Sequence, residues 1–192
     1  MIRLPLLCAA GVMVLLAGCA AQTIKSAEEL DETTGMTVGA LQEPIEFVQT
    51  AQNAALANAK RASFAYLGPV EWDRMGAITY GLWIHVAPGN DLQVGNILSR
   101  GAVTLALDDG PMTLTPMETP AGFHGPYKPV VSWGQTAYFE VNEEMLKRMA
   151  ASRKLVLDFK SADLSSTVDF FPSHDTSATL TEFARARGIT GD

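Results

Sequence analysis

Few side chains in this sequence have the type and spacing to do chemistry. His85, His124 and His174 stand too far apart in sequence to form a local metal site, and no His-Glu-x-x-His segment occurs. No Gly-x-Ser-x-Gly or Ser-x-x-Lys arrangement offers an activated serine; Ser152-Arg153-Lys154 only approximates the latter. No phosphate-cradling glycine loop precedes a helix. The carboxylate pairs Asp108-Asp109 and Glu143-Glu144 could share acid–base work. Local roles already account for them, in a turn and at a helix start. The sequence therefore implies no metal, no cofactor and no catalytic residue, and it favours a non-enzymatic domain.

Binding chemistry has a better candidate. Gly122-Phe123-His124-Gly125-Pro126-Tyr127 is a loop dense in aromatics, glycine and proline. Loops on a rigid scaffold commonly carry function, and exposed aromatics anchor partners. Phe123, His124 and Tyr127 are the candidate binding residues. The competing reading is that Phe123 and Tyr127 cover one end of a core while the prolines stiffen the loop. Trp72 with Asp73-Arg74, and Trp83, form a second candidate, for which burial of both tryptophans is the simpler reading.

The two cysteines, Cys8 and Cys19, both lie near the start. Arg3 gives a positive leader, Leu4 to Leu16 is apolar, and Ala17-Gly18 supplies small residues. The apolar run of about 13 residues is shorter than the ~20 needed to span a bilayer. Leu16-Ala17-Gly18-Cys19 resembles the lipobox of bacterial lipoproteins. The resemblance implies cleavage before Cys19, a diacylglyceryl thioether on its sulfur and a further acyl chain on its amine. The lipid bilayer is then a partner through acylated Cys19. Two or more chains anchor stably where one is marginal. Ala20 follows Cys19, which by the same resemblance implies the outer membrane, on its periplasmic side.

Tyr66-Leu67-Gly68-Pro69-Val70-Glu71, Asp73-Arg74-Met75-Gly76 and Tyr80-Gly81-Leu82-Trp83 are similar to stretches of a group of small proteobacterial outer-membrane lipoproteins. That resemblance implies the same localisation and a β-rich fold, and it carries no catalytic residue over.

Composition agrees with one domain beyond the leader. The formal charge of −7 becomes −8 when Arg3 leaves with residues 1–18. An acidic chain is a poor phosphate binder, so no nucleic-acid partner is expected. Residues 19–34 read as the lipidated start and an acidic flexible tether, with Glu28, Glu29, Asp31 and Glu32. A short helix over 26–30 is an alternative there. Residues 35–192 read as a single β-rich domain without cysteine.

The elements that must position these residues are mostly strands. Alternation predicts strands near 36–41, 44–48, 63–70, 77–86, 102–107, 112–117, 135–141, 154–160 and 166–171. Gly68-Pro69 should break or edge one of them. Asp73-Arg74-Met75-Gly76 and Asp108-Asp109-Gly110-Pro111 read as turns. Residues 49–62 read either as a helix or as an irregular connection. Asn142 should cap a short helix with Met145, Leu146, Met149 and Ala150 on its apolar stripe. A terminal helix over 175–187 should bury Leu180, Phe183 and Ala184, with Gly188 as its stop. The expected fold is an antiparallel β-sandwich of about 8–10 strands with two short helices, the alternative being a small β-barrel.

The function this implies is a membrane-anchored binding or envelope-assembly domain with an envelope protein partner. Two alternatives stand beside it. One is a hydrolase or carbohydrate-active domain with a site near His124. The other is a binder of a small lipid or hydrophobic ligand between the sheets, which a pocket lined by residues such as Tyr80 and Phe139 would support.

Overall fold

The computed structural model describes residues 24–49, 62–89, 98, 102–119, 123, 125–160 and 167–189. The leader, Cys19, His124 and the 50–61 connection lie outside the described residues.

The described residues form ten strands and two helices. The strands are β1 (Ser26–Asp31), β2 (Met36–Leu41), β3 (Ile45–Gln49), β4 (Phe64–Arg74), β5 (Ala77–Ala87), β6 (Val103–Leu107), β7 (Gly110–Met117), β8 (Gln135–Val141), β9 (Val156–Lys160) and β10 (Thr167–Pro172). The helices are α1 (Glu143–Ala151) and α2 (Ser177–Ala186). All pairings are antiparallel. Eight strands close on themselves in the order β3-β4-β5-β8-β7-β6-β9-β10 and back to β3. The fold is therefore a closed β-barrel, the alternative expected from the sequence, and not the sandwich placed first. One-faced alternation is common to both architectures; what distinguishes them is the β4–β5 and β10–β3 pairing, which removes the free edges.

The interior is filled by side chains. Cross-strand partners share a face, so Ile45, Leu67, Ile84 and Ala137 make one inward row. Phe47, Ala65 and Val86 make the next, with a large ring opposite a small residue. Phe47, Phe139, Phe159 and Phe170 are completely buried. Phe159 and Phe170 meet edge to face with centroids 5.4 Å apart. An eight-stranded barrel is just wide enough for its own side chains or for one small ligand, and here fully buried rings occupy it.

Two departures from expectation share one cause. Residues 26–31, expected as tether or short helix, form β1 and pair with β2 from Ser26↔Leu41 to Asp31↔Met36. β4 runs straight through Gly68-Pro69. Its far edge changes partner there: residues 64–67 pair with β3 and residues 70–73 with β2. In a strand, a residue's N–H and C=O point to the same side. The missing N–H of Pro69 therefore faces this partner gap and costs no ladder bond. The second half of β4, with β5, β2 and β1, forms a four-stranded extension beyond the barrel.

Both helices sit at one barrel end. Asn142 caps α1 by accepting from Met145 N at 2.9 Å, and Leu146, Met149 and Ala150 are buried. Arg148 pairs with Asp109 in the β6–β7 turn at 2.7 Å. α2 buries Leu180, Phe183 and Ala184 and is followed by Gly188 at φ 66°. Thr181 Oγ1 on α2 donates to Ala150 O on α1 at 3.2 Å.

Candidate functional site

The outer face of β4 and β5 is buried at Gly68, Val70, Trp72, Gly81, Trp83 and His85, as the inner one is, while its margins at Thr79, Thr136 and Glu140 are exposed. Its rows are Tyr66–His85–Thr136, Gly68–Trp83–Tyr138, Val70–Gly81–Glu140 and Trp72–Thr79. The segment carrying Phe123 and Tyr127 lies over these rows as a strap. Phe123 packs against Trp72 at 5.5 Å and against Tyr138 at 6.0 Å. Tyr127 packs on Trp83 at 5.2 Å, and its ring lies against Gly68, where any Cβ would collide with it. Phe123 and Tyr127 thus cover a second apolar layer on the barrel's flank, not one end of its core.

The Tyr127 hydroxyl occupies the partner gap in β4. It donates to Pro69 O at 3.0 Å and accepts from Leu41 N at 2.9 Å. It completes the ladder where β3 stops and β2 takes over. Burial pushes its ionisation well above the ordinary tyrosine range.

His85 lies under the end of the strap. Its Nδ1 is 2.8 Å from Thr136 Oγ1, and Val131 N donates to its Nε2 at 3.5 Å. The Trp83 ring stacks on it at 5.6 Å. Burial holds the imidazole below the usual histidine range, partly countered by a hydrogen bond to the Gln135 backbone. Trp72 and Trp83 are both buried. His174 is exposed and hydrogen-bonded to Ser173. Among the described residues no group of three or more His, Cys, Asp or Glu could hold a metal ion.

The carboxylate pairs have local partners. Asp108 accepts from Arg153 N at 2.7 Å, which holds its carboxyl below the usual range. Glu143 pairs with Lys147 at 2.9 Å.

Sequence reasoning missed several features that depend on distant residues. Arg187, just past α2, has a side chain 3 % exposed. It contacts Glu28, Ser26 Oγ and the Ala27 carbonyl on β1, and Glu71 on β4 at 3.5 Å. Burial raises the Glu71 carboxyl, while Arg187 and the Tyr80 hydroxyl pull it back. Asp158 on β9 faces Asp169 on β10 directly. Burial and that neighbouring carboxylate push Asp158 up to about 6. A cleft of about 820 Å³ between the end of β7 and the start of β8 is lined in part by Leu98, Met117, Glu118, Gln135 and Tyr138.

Among the described residues, exposed large apolar side chains cluster in two places, with Phe171 on β10 standing apart from both. Leu30 (59 %), Met75 (99 %) and Ile78 (53 %) stand at the tip of the extension. Register links Leu30 to Ile78 through Thr37 and Asp73, so they share one face. Val130 and Trp133 project from the strap. A methionine beside a turn glycine, and a tryptophan outside any alternating run, were the visible sequence signals.

Compared with known proteins, the chain matches no family model, no curated protein and no solved structure.

Proposed function

We propose that the chain is a lipid-anchored, non-enzymatic binding domain of the bacterial envelope, attached through Cys19 to the outer membrane on its periplasmic side, with a protein partner. The observation that carries the binding role is Met75. The β4–β5 turn has two central residues, Met75 at φ 57° and Gly76 at φ 87°. Such a tight hairpin turn favours asparagine or aspartate followed by glycine. Methionine at positive φ costs roughly 1–2 kcal/mol, and here its side chain gains no burial in return. A flexible, polarisable apolar side chain held at a local cost suits a contact surface. Ile78 on β5 and Leu30 on β1 lie on the same face of the extension, at the two ends of one cross-strand row that passes through Asp73 and Thr37.

The anchor rests on the leader and Leu16-Ala17-Gly18-Cys19. Mass analysis of the mature N-terminal peptide should find acylated cysteine, and Cys19→Ser should release the domain from membranes. For the binding role, a photocrosslinker at position 75 in acylated chain should give a discrete protein adduct in envelopes. One at Thr113, exposed on β7, should give none. Met75→Asn should stabilise the turn yet abolish the adduct formed from position 78. Equal labelling from positions 75 and 113 would sink the reading.

A second reading, a hydrolytic or carbohydrate-active domain, draws on the cleft bearing Glu118 and Tyr138; loss of a measured turnover in Glu118→Gln would favour it. Binding of a small hydrophobic ligand inside the barrel is disfavoured by the fully buried Phe47, Phe139, Phe159 and Phe170.

A further inference from the structure

We infer that the strap turn at Val130–Trp133 docks the domain onto the bilayer that holds its lipid anchor, with the Trp133 indole seated in the headgroup interface. The inference rests on the acylation of Cys19 proposed above and adds an orientation to it.

Three observations meet at this turn. The first is Trp133 itself. Of the three tryptophans, Trp72 and Trp83 are buried in the flank layer, whereas Trp133 is 71 % exposed, beside Val130 at 53 %. Tryptophan favours the membrane–water interface, where its ring sits among headgroups.

The second is rigidity. Gly134 N donates to Val131 O at 3.3 Å and closes the turn. A Cβ on Gly134 would collide with the His85 ring and Val86 O, so the turn lies directly on β5. Val131 N is held by His85. The backbone is pinned from below, and the indole points away from the barrel. Its display therefore costs little ordering entropy on docking. The turn itself carries no charge that an anionic surface would repel: residues 125–134 contain Lys128 and no acidic residue.

The third is the position of the anchor. Lys25 O accepts from Gln42 N at 2.8 Å, and the adjacent Leu41 N donates to Tyr127 on the strap. The N-terminal segment therefore enters the domain at the strap's own corner. From Lys25 back to Cys19 is six residues, at most about 20 Å of extended chain. From that corner on β1 and β2 to Gly134 above Val86 is up to three strand spacings across the sheet and about three residues along β5, together roughly 15–20 Å. Both the anchor and Trp133 can touch one bilayer. The tip bearing Met75 lies at the far end of the β1–β2 hairpin from Ser26, which leaves it facing away from that bilayer and open to a partner.

The test uses the acylated full-length product in phosphatidylethanolamine–phosphatidylglycerol vesicles, with and without a brominated-chain phospholipid. With Trp72 and Trp83 buried, Trp133 is the indole within reach of either quencher. Brominated lipid should reduce the emission, and vesicle binding should protect the same fraction from aqueous iodide. Trp133→Phe, a change at an exposed position, should remove the lipid quenching while the far-ultraviolet circular dichroism is unchanged. Acylated, vesicle-bound chain whose emission ignores brominated lipid and stays open to iodide overturns the docking alone. Lipid quenching that persists in Trp133→Phe also overturns it. Absence of acyl mass on Cys19 overturns the anchor and the docking together.

Discussion

Tyr127→Phe isolates one oxygen atom and tests whether the aromatic loop is a structural strap. The ring, its packing on Trp83 and its seat over Gly68 all remain. What is lost is the hydroxyl that bridges Leu41 N and Pro69 O. Leu41 is 2 % exposed and Pro69 is also buried, so water does not readily replace the bridge. An orphaned buried N–H or C=O costs about 1–3 kcal/mol, the carbonyl tending to the lower figure. Two orphans therefore put the loss at roughly 2–4 kcal/mol. For a chain of this length that corresponds to a fall in Tm of about 4–16 °C. Urea unfolding monitored by tryptophan emission measures it, with an unchanged m value as the sign that the native fold is kept. Hydrogen exchange adds a local readout: the Leu41 amide should lose protection before its β2 neighbours do. Tyr66→Phe is the control, since that half-buried hydroxyl meets Glu46 near the surface and its loss should cost less than about 0.5 kcal/mol. A Tyr127→Phe protein within 0.5 kcal/mol of wild type, with Leu41 still protected, would refute the role of the hydroxyl as the bridge across the β2–β3 gap.

Two further perturbations probe the charged groups. Arg187→Met should destabilise by about 3 kcal/mol in urea unfolding, because it leaves Glu71 without its cation. Glu71 then has a folded pKa raised further above its unfolded value. Its contribution is fully present below the unfolded pKa and is lost as pH rises, so the penalty should be larger at pH 8 than at pH 5. The same variant should expose residues 26–31 to proteolysis, since Arg187 holds β1 through Glu28, Ser26 and Ala27. Asp158 has a pKa raised from 3.8 to about 6. Its folded state is therefore favoured when protonated, and stability is lost as pH rises between about 4 and 6. Asp158→Asn should raise Tm at pH 7–8 and change it little at pH 4; an equal shift at both pH values would dismiss the opposed-carboxylate account of β9 and β10.

Local chemistry determined much of this fold directly from sequence. Asn142 before two glutamates and an apolar stripe specifies a capped α1, and the structure has that cap. Leu180, Phe183 and Ala184 followed by Gly188 specify α2 and its stop. Alternation in 77–86 specifies β5, because side chains in a strand must take opposite faces.

Tertiary structure decided everything that depends on which edges meet. Closure into a barrel is settled by hydrogen bonds between β10 and β3, whose residues lie more than 120 positions apart, and alternation along either strand is blind to it. β1 reads as an acidic spacer because its charged side chains face water; its strand state comes from the β2 edge and the Arg187 guanidinium brought by α2. Pro69 reads as a strand breaker because the sequence does not reveal that its missing N–H points into a partner gap closed by Tyr127. The aromatic loop followed the same logic. Its residue types announce a site, and whether Phe123 and Tyr127 meet a ligand or their own barrel depends on the trench that Gly68 opens beside Trp83. Trp133, on the same loop, has no such trench beneath it, and its ring is left in the open.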